Sequence, residues 1–239
     1  MKKNSILLLL LLFSFIVTLT TSCSSKPDNT VRDEDGNVYH TIKIGNQIWM
    51  VENLKTTKYN DGTTIPFVTD NIAWSHLSTP GYCWYNNNKI AYENSYGALY
   101  NWYTVNTGRL APIGWHVATL TDWENLEKYI KSKPAKSESI AKSLAAVTNW
   151  TNDTIPGSIG SDLSKNNSSG FTAFPGGYRG NYGGFHDIGS TACWWPANME
   201  NGMAGAWYLS LYSQSSGRLC KYCTYRRSGF SVRCVKNSE

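Results

Sequence analysis

The sequence has little charge. Only 16% of its residues are Asp, Glu, Lys or Arg, and 22 basic residues face 17 acidic ones. That bias is too weak to imply a nucleic-acid partner. No run of like charges occurs before the C-terminal segment, and there is no internal repeat. After the N-terminus no second hydrophobic stretch appears. The short signatures of catalysis are missing too. There is no Gly-x-Ser-x-Gly elbow and no His-Glu-x-x-His motif, and the glycines around Tyr178 and Arg179 lack the Gly-Lys-Ser/Thr of a phosphate loop. The four histidines, His40, His76, His116 and His186, show no ligand spacing. Read this way, the chain offers no catalytic residue, no metal site and no cofactor.

What is there begins with an address. Lys2 and Lys3 precede an apolar run, Ile6–Val17, broken only by Ser14. Small polar residues follow, then Cys23. This is the layout of a secretory signal, and the run is too short to span a bilayer of about 30 Å. A cysteine just past the small residues predicts a bacterial lipoprotein, with residues 1–22 removed and Cys23 acylated. Thr20 stands where such signals usually place Leu, Val or Ile. The alternative is an ordinary secretory signal cut near Ser22. Residues 23–30, small and polar, are expected to be a flexible tether. The expected partner is a membrane, reached through the acyl chains. The expected location is the bacterial outer membrane or the cell surface.

The exported part, 31–239, is expected to be one domain. Aromatics make up 13% of the chain, enough for a large aromatic core, and 20 glycines suit many turns. Beyond Cys23 stand Cys83, Cys193, Cys220, Cys223 and Cys234. Export makes disulfides plausible, but five is odd, so at least one thiol stays free or pairs between molecules. Cys220-Lys221-Tyr222-Cys223 could be a disulfide pair, a redox dithiol or a soft-metal site.

Turn chemistry at 33–37 and Gly45-Asn46 brackets two short strands over Val38–Ile48. Tyr82–Tyr85 reads as an aromatic strand, and Ala98–Val105 as strand or helix. Leu120, Trp123, Leu126 and Ile130 recur at helical spacing, predicting a helix over Thr121–Lys131. Its capping box is Thr121 with Glu124, or Thr119 with Asp122. Ser139–Val147 is a second expected helix. Residues 151–190 look like loops, while Trp207–Leu211 and Gly229–Val235 look like strands. The fold class is α+β, loop-rich, with short antiparallel strands and about two helices.

Several segments together resemble the Fibrobacter succinogenes major paralogous domain. They include Asp35–Tyr39, Ile44–Leu54, Tyr96–Trp102, Pro112–Val117, Gly170-Phe171 to Arg179, and Gly229–Val235. The resemblance implies an exported domain without a well-established activity, often carried on envelope lipoproteins of Bacteroidetes-like bacteria. More distantly, Trp115–Thr119 followed by Asp122-Trp123-Glu124, and Gly184–Gly189, are similar to the formylglycine-generating (sulfatase-modifying) enzymes. That likeness implies a C-type-lectin-like fold. It does not carry the chemistry. Ser190 and Cys193 stand where those enzymes have calcium-binding Asn and Glu, and Cys220 and Cys223 are spaced more closely than their copper cysteines.

In such a fold the long loops carry function. The stretch 171–198 holds Tyr178, Arg179, Tyr182, Phe185, His186, Asp187, Trp194 and Trp195. Aromatic faces stack on sugar rings while Arg and Asp bond the hydroxyls, so a glycan is a candidate ligand; another envelope protein is a second. The plain alternative is that these aromatics are core or loop-pinning residues. The basic residues Arg218, Lys221, Arg226, Arg227, Arg233 and Lys236 could face anionic groups, or be ordinary solubilising charge. The expected function is a lipid-anchored binding or structural module. A divergent enzyme or thiol protein built on Cys220 and Cys223 is the alternative.

Overall fold

The computed structural model describes residues 29–133, 139–198 and 205–238. The signal segment, Cys23 and residues up to 28 lie outside the described residues. Asn29 and Thr30, expected in the tether, are tied to β2 instead. The Asn29 carbonyl already accepts from the Thr41 amide (2.7 Å), and Thr30 pairs with His40.

The N-terminal part forms β1 (Thr30–Arg32), β2 (Val38–Ile44) and β3 (Gln47–Met50). Asp33 shapes the first turn by accepting from the amides of Asp35 and Asn37. Gly45, at φ 64°, turns the second, where Ile44 pairs with Gln47. Then come α1 (Asn71–Ser75), β4 (Tyr82–Cys83), α2 (Lys89–Tyr96), β5 (Leu99–Tyr100) and α3 (Trp102–Val105). Next are β6 (Trp115–Val117), α4 (Leu120–Lys131) and α5 (Ile140–Leu144). The chain continues through β7 (Gly176–Arg179), β8 (Phe185–Ile188), β9 (Thr191–Trp194), β10 (Ala206–Tyr212), β11 (Cys220–Thr224) and β12 (Cys234–Lys236).

The strands form two five-stranded sheets, β1-β2-β3-β12-β6 and β11-β10-β9-β7-β8, plus the pair β4-β5. Pairing is antiparallel except between β7 and β9. This is the expected α+β class, with two corrections. Five α-helices are present among the described residues, where about two were expected. Helices α1 and α3 are too short to display a helical period, and α2 buries none of its residues, so it has no apolar stripe to read. The stretch 151–190 is also not all loop, because it contains β7 and β8. The ambiguous Ala98–Val105 is strand and helix in turn.

Short helices need help at their ends, since isolated turns are unstable in water. Each of the five has a side chain that caps its first turn: Asp70, Asn88, Asn101, Thr119 and Ser139. In α4 the box is Thr119 with Asp122. Asp122 wins that position because its carboxylate also meets His116 Nε2 at 3.0 Å.

The interior is aromatic. Trp49, Trp123, Phe171 and Trp194 pack edge-on and tilted, with centroids 5.1–6.2 Å apart. Arg233, fully buried, lies over Phe171 at 4.5 Å. It donates to Asn53 Oδ1 and to the carbonyls of Met50, Phe171 and Thr172, at 2.7–2.9 Å. Burial lowers its pKa to about 9, so it stays cationic at neutral pH.

Arg233→Lys should cost at least about 3 kcal/mol, because one ammonium cannot reach four divergent acceptors and leaves some buried and unpaired. Urea unfolding checks this; a loss under about 1 kcal/mol would refute the pinning role. The start of α4 should be pH-dependent. The hydrogen bond to Asp122 raises the His116 pKa against the effect of burial, so its contribution is complete below 6.5 and fades as pH rises past that value. Burial works to raise the Asp122 pKa, but bonds from His116 and Thr119 outweigh it and hold the carboxyl at about 2. Its contribution is present above 3.8 and is lost as pH falls toward 2. Amide protection factors in the first turn of α4, with the intrinsic pH dependence of exchange divided out, should therefore be greatest between about pH 4 and 6.5.

Candidate functional site

Alternation along the C-terminal sheet sorts its side chains into two faces. On β10, Trp207, Leu209 and Leu211 point one way, and the register places Lys221, Cys223, Trp194 and Ala192 with them. Tyr208, Ser210 and Tyr212 point the other way, beside Tyr222, Cys220, Cys193 and Thr191. On β7 and β8, Tyr178 and His186 continue this second face.

The rings on that face form a continuous line. His186 lies 5.3 Å from Tyr178, Tyr178 5.8 Å from Phe230, Phe230 4.7 Å from Tyr208, and Tyr208 5.7 Å from Tyr222. Phe230 is buried beneath, while the tyrosines are half-buried and Tyr222 is exposed. Asp187 occupies the left-handed region at φ 61°, which aspartate tolerates. From there its negative charge acts on the Tyr178 phenol.

The phenols sit close enough to influence one another. Burial, then Asp187, raises Tyr178 to about 12. Burial, then the Cys193 thiol and the other phenols, raises Tyr208 further. Burial likewise raises Tyr212, and a bond to Cys220 raises Tyr222. All four therefore keep their protons at neutral pH and can both donate and accept. Cys193 and Ser210 lie buried at the same face, and Ser210 Oγ has no hydrogen-bond partner among the described residues.

Of the residues singled out from sequence, the fold brings Tyr178, His186 and Asp187 to this face. Tyr182 stands apart, 80% exposed in the β7–β8 turn, where the adjacent Gly183 packs on Asn71 of α1. Arg179, Trp194 and Trp195 are corrections, since all three are fully buried. Arg179 donates to the carbonyls of Val68, Thr69 and Gly183 and to Asn71, and its guanidinium lies over Trp74 and Phe185. Trp194 Nε1 donates to Asn53, and Trp195 Nε1 to the Tyr100 carbonyl. Their large rings and N–H groups suit a wet ligand site and a core equally well, and here they serve the core. Sequence reasoning missed Tyr208, Tyr212 and Tyr222. The spacing of four between Tyr208 and Tyr212 along an alternating strand was the available signal.

The cysteines do not pair. All five described are free thiols, with Cys83, Cys193 and Cys234 buried. Burial pushes Cys83 up to about 12 and raises the other two as well. Cys220 and Cys223 are three apart on one strand and so point to opposite faces, which denies them a disulfide or a shared metal in this conformation. No group of three His, Cys, Asp or Glu side chains that could hold a metal ion occurs among the described residues. The basic residues do not form one surface either. Arg233 is interior, and Lys221, Arg226 and Arg227 each lie over an aromatic ring.

A native thiol titration should count Cys223 first and Cys220 more slowly. Cys83, Cys193 and Cys234 should appear only in denaturant. A Cys220–Cys223 disulfide in mass spectra of oxidised native protein would contradict the strand geometry.

The family described as Fibrobacter succinogenes major domain matches residues 42–236. No curated protein and no solved structure matches the chain.

Proposed function

The chain belongs to the Fibrobacter succinogenes major domain family, and from that premise we propose a binding module of the cell envelope, held by acyl chains on Cys23, whose tyrosine face contacts glycans. The observation that carries the reading is the convergence of four protonated phenols with Asp187 and His186 on one sheet face. Flat rings supply stacking area for a sugar, and neutral phenols match hydroxyls that both donate and accept. Asp187 adds a stronger acceptor. Nothing in this contact needs calcium. The α+β architecture with long connections is compatible with a C-type-lectin-like fold, in which the module would work without catalysis. The anchor is compatible with the same role, because two or three acyl chains at roughly 0.8 kcal/mol per methylene hold a domain at a membrane.

Full-length acylated protein in detergent, applied to a glycan array, should bind a restricted set of sugars. Tyr222→Ala and Asp187→Asn should each weaken that binding about tenfold, near 1.4 kcal/mol, with an unchanged melting temperature. Binding to no glycan, or loss only in unfolded variants, would end the reading. Cys23→Ala should move the protein from the detergent phase to the aqueous phase without changing its melting. A wild-type chain already in the aqueous phase would exclude the anchor.

A further inference from the structure

We propose a second site on the opposite side of the same sheet, where an extended peptide from another protein adds as a strand to β11 and lays alternate side chains into the groove beside α4. The groove encloses about 580 Å³, room for several side chains. Its apolar lining is Leu120 and Trp123 of α4 with Trp207, Leu209 and Leu219.

Four observations favour a peptide. The first is that β11 is the terminal strand of its sheet, and no described residue hydrogen-bonds its outer edge. An edge strand presents alternate N–H and C=O groups outward, and a polypeptide backbone matches that spacing where a glycan does not. The second is that the edge is unguarded. Lysine on an edge usually blunts pairing, but Lys221 folds back with Nζ 4.8 Å from the Trp207 ring centroid.

The third is that Trp207 in the lining has a buried indole N–H with no acceptor among the described residues, a donor that an entering peptide carbonyl would satisfy. The fourth is charge. Glu127 is spent on the Leu219 amide at 3.0 Å, which fixes the entry to β11 against α4. Glu124 on the helix wall and Arg218 on the strand wall are exposed and have no partner among the described residues. The occupant is therefore an extended segment with apolar residues at alternate positions, a basic group toward Glu124 and an acidic group toward Arg218.

The test uses the full acylated chain in detergent and a phage-displayed library of random nonapeptides. Alternating apolar peptides should be enriched on wild type but not on Leu120→Arg, whose longer side chain fills the groove; equal melting temperatures establish that the variant folds. A selected peptide is then made in two forms, N-methylated at odd or at even positions. One form should lose at least tenfold in affinity and the other should bind as before, and amide exchange should slow within Cys220–Thr224. Asp187→Asn should leave peptide binding unchanged, which separates this site from the glycan reading. The proposal is overturned by lack of enrichment over Leu120→Arg, by equal binding of both methylated forms, or by protection at β8 instead of β11. Self-association through β11 would overturn it too, by making a second copy the occupant.

Discussion

The bond network around Asn53 and Arg233 holds together parts of the chain that lie far apart in sequence. Asn53 Oδ1 accepts from both Arg233 Nε and Trp194 Nε1, and its amide donates to the Tyr96 carbonyl. Arg233 then reaches the end of β3 and the loop at Phe171 and Thr172. One buried side-chain amide and one guanidinium thus join the N-terminal sheet, α2, the long central loop and the C-terminal sheet. A buried cation is costly unless its donors are satisfied. This requirement allows little variation in how the sheets sit. Arg179 does the same for α1 and the β7–β8 hairpin, with a stack on Trp74 in place of an ion partner.

With both guanidiniums and the largest indoles committed inward, the C-terminal sheet is free to present different chemistry on its two sides. One side offers phenols over buried Cys193 and Ser210. The other offers an aliphatic and indole groove flanked by α4. The division follows from strand alternation in Trp207–Tyr212, where each step changes face. A single strand therefore contributes to both surfaces, and its neighbour β11 borders both.

Where the sequence carried a period or a turn, the fold followed it. The β2–β3 hairpin around Gly45, the α4 stripe of Trp123 and Leu126, and the Trp207–Leu211 strand were legible because local pattern and burial agree there. Helix α2 was not legible because it has no buried side. The candidate site was half legible. Tyr178, His186 and Asp187 could be picked out as polar aromatics near glycines, but chemistry alone cannot tell an indole that meets ligand from one that meets Asn53. Trp194 and Trp195 belong to the second kind. The tyrosines of β10 and β11 escaped notice because only the register between the strands places them beside Tyr178. Cys220 and Cys223 look like a pair in one dimension and are separated by the pleat.

Strand β12 lies between β3 and β6 in the first sheet. The first sheet therefore cannot close until residues 234–236 have been made, and Arg233 arrives with them. Contacts this distant in sequence form late and slowly. Until then the polypeptide stays open, and it locks only when β12 is laid between β3 and β6.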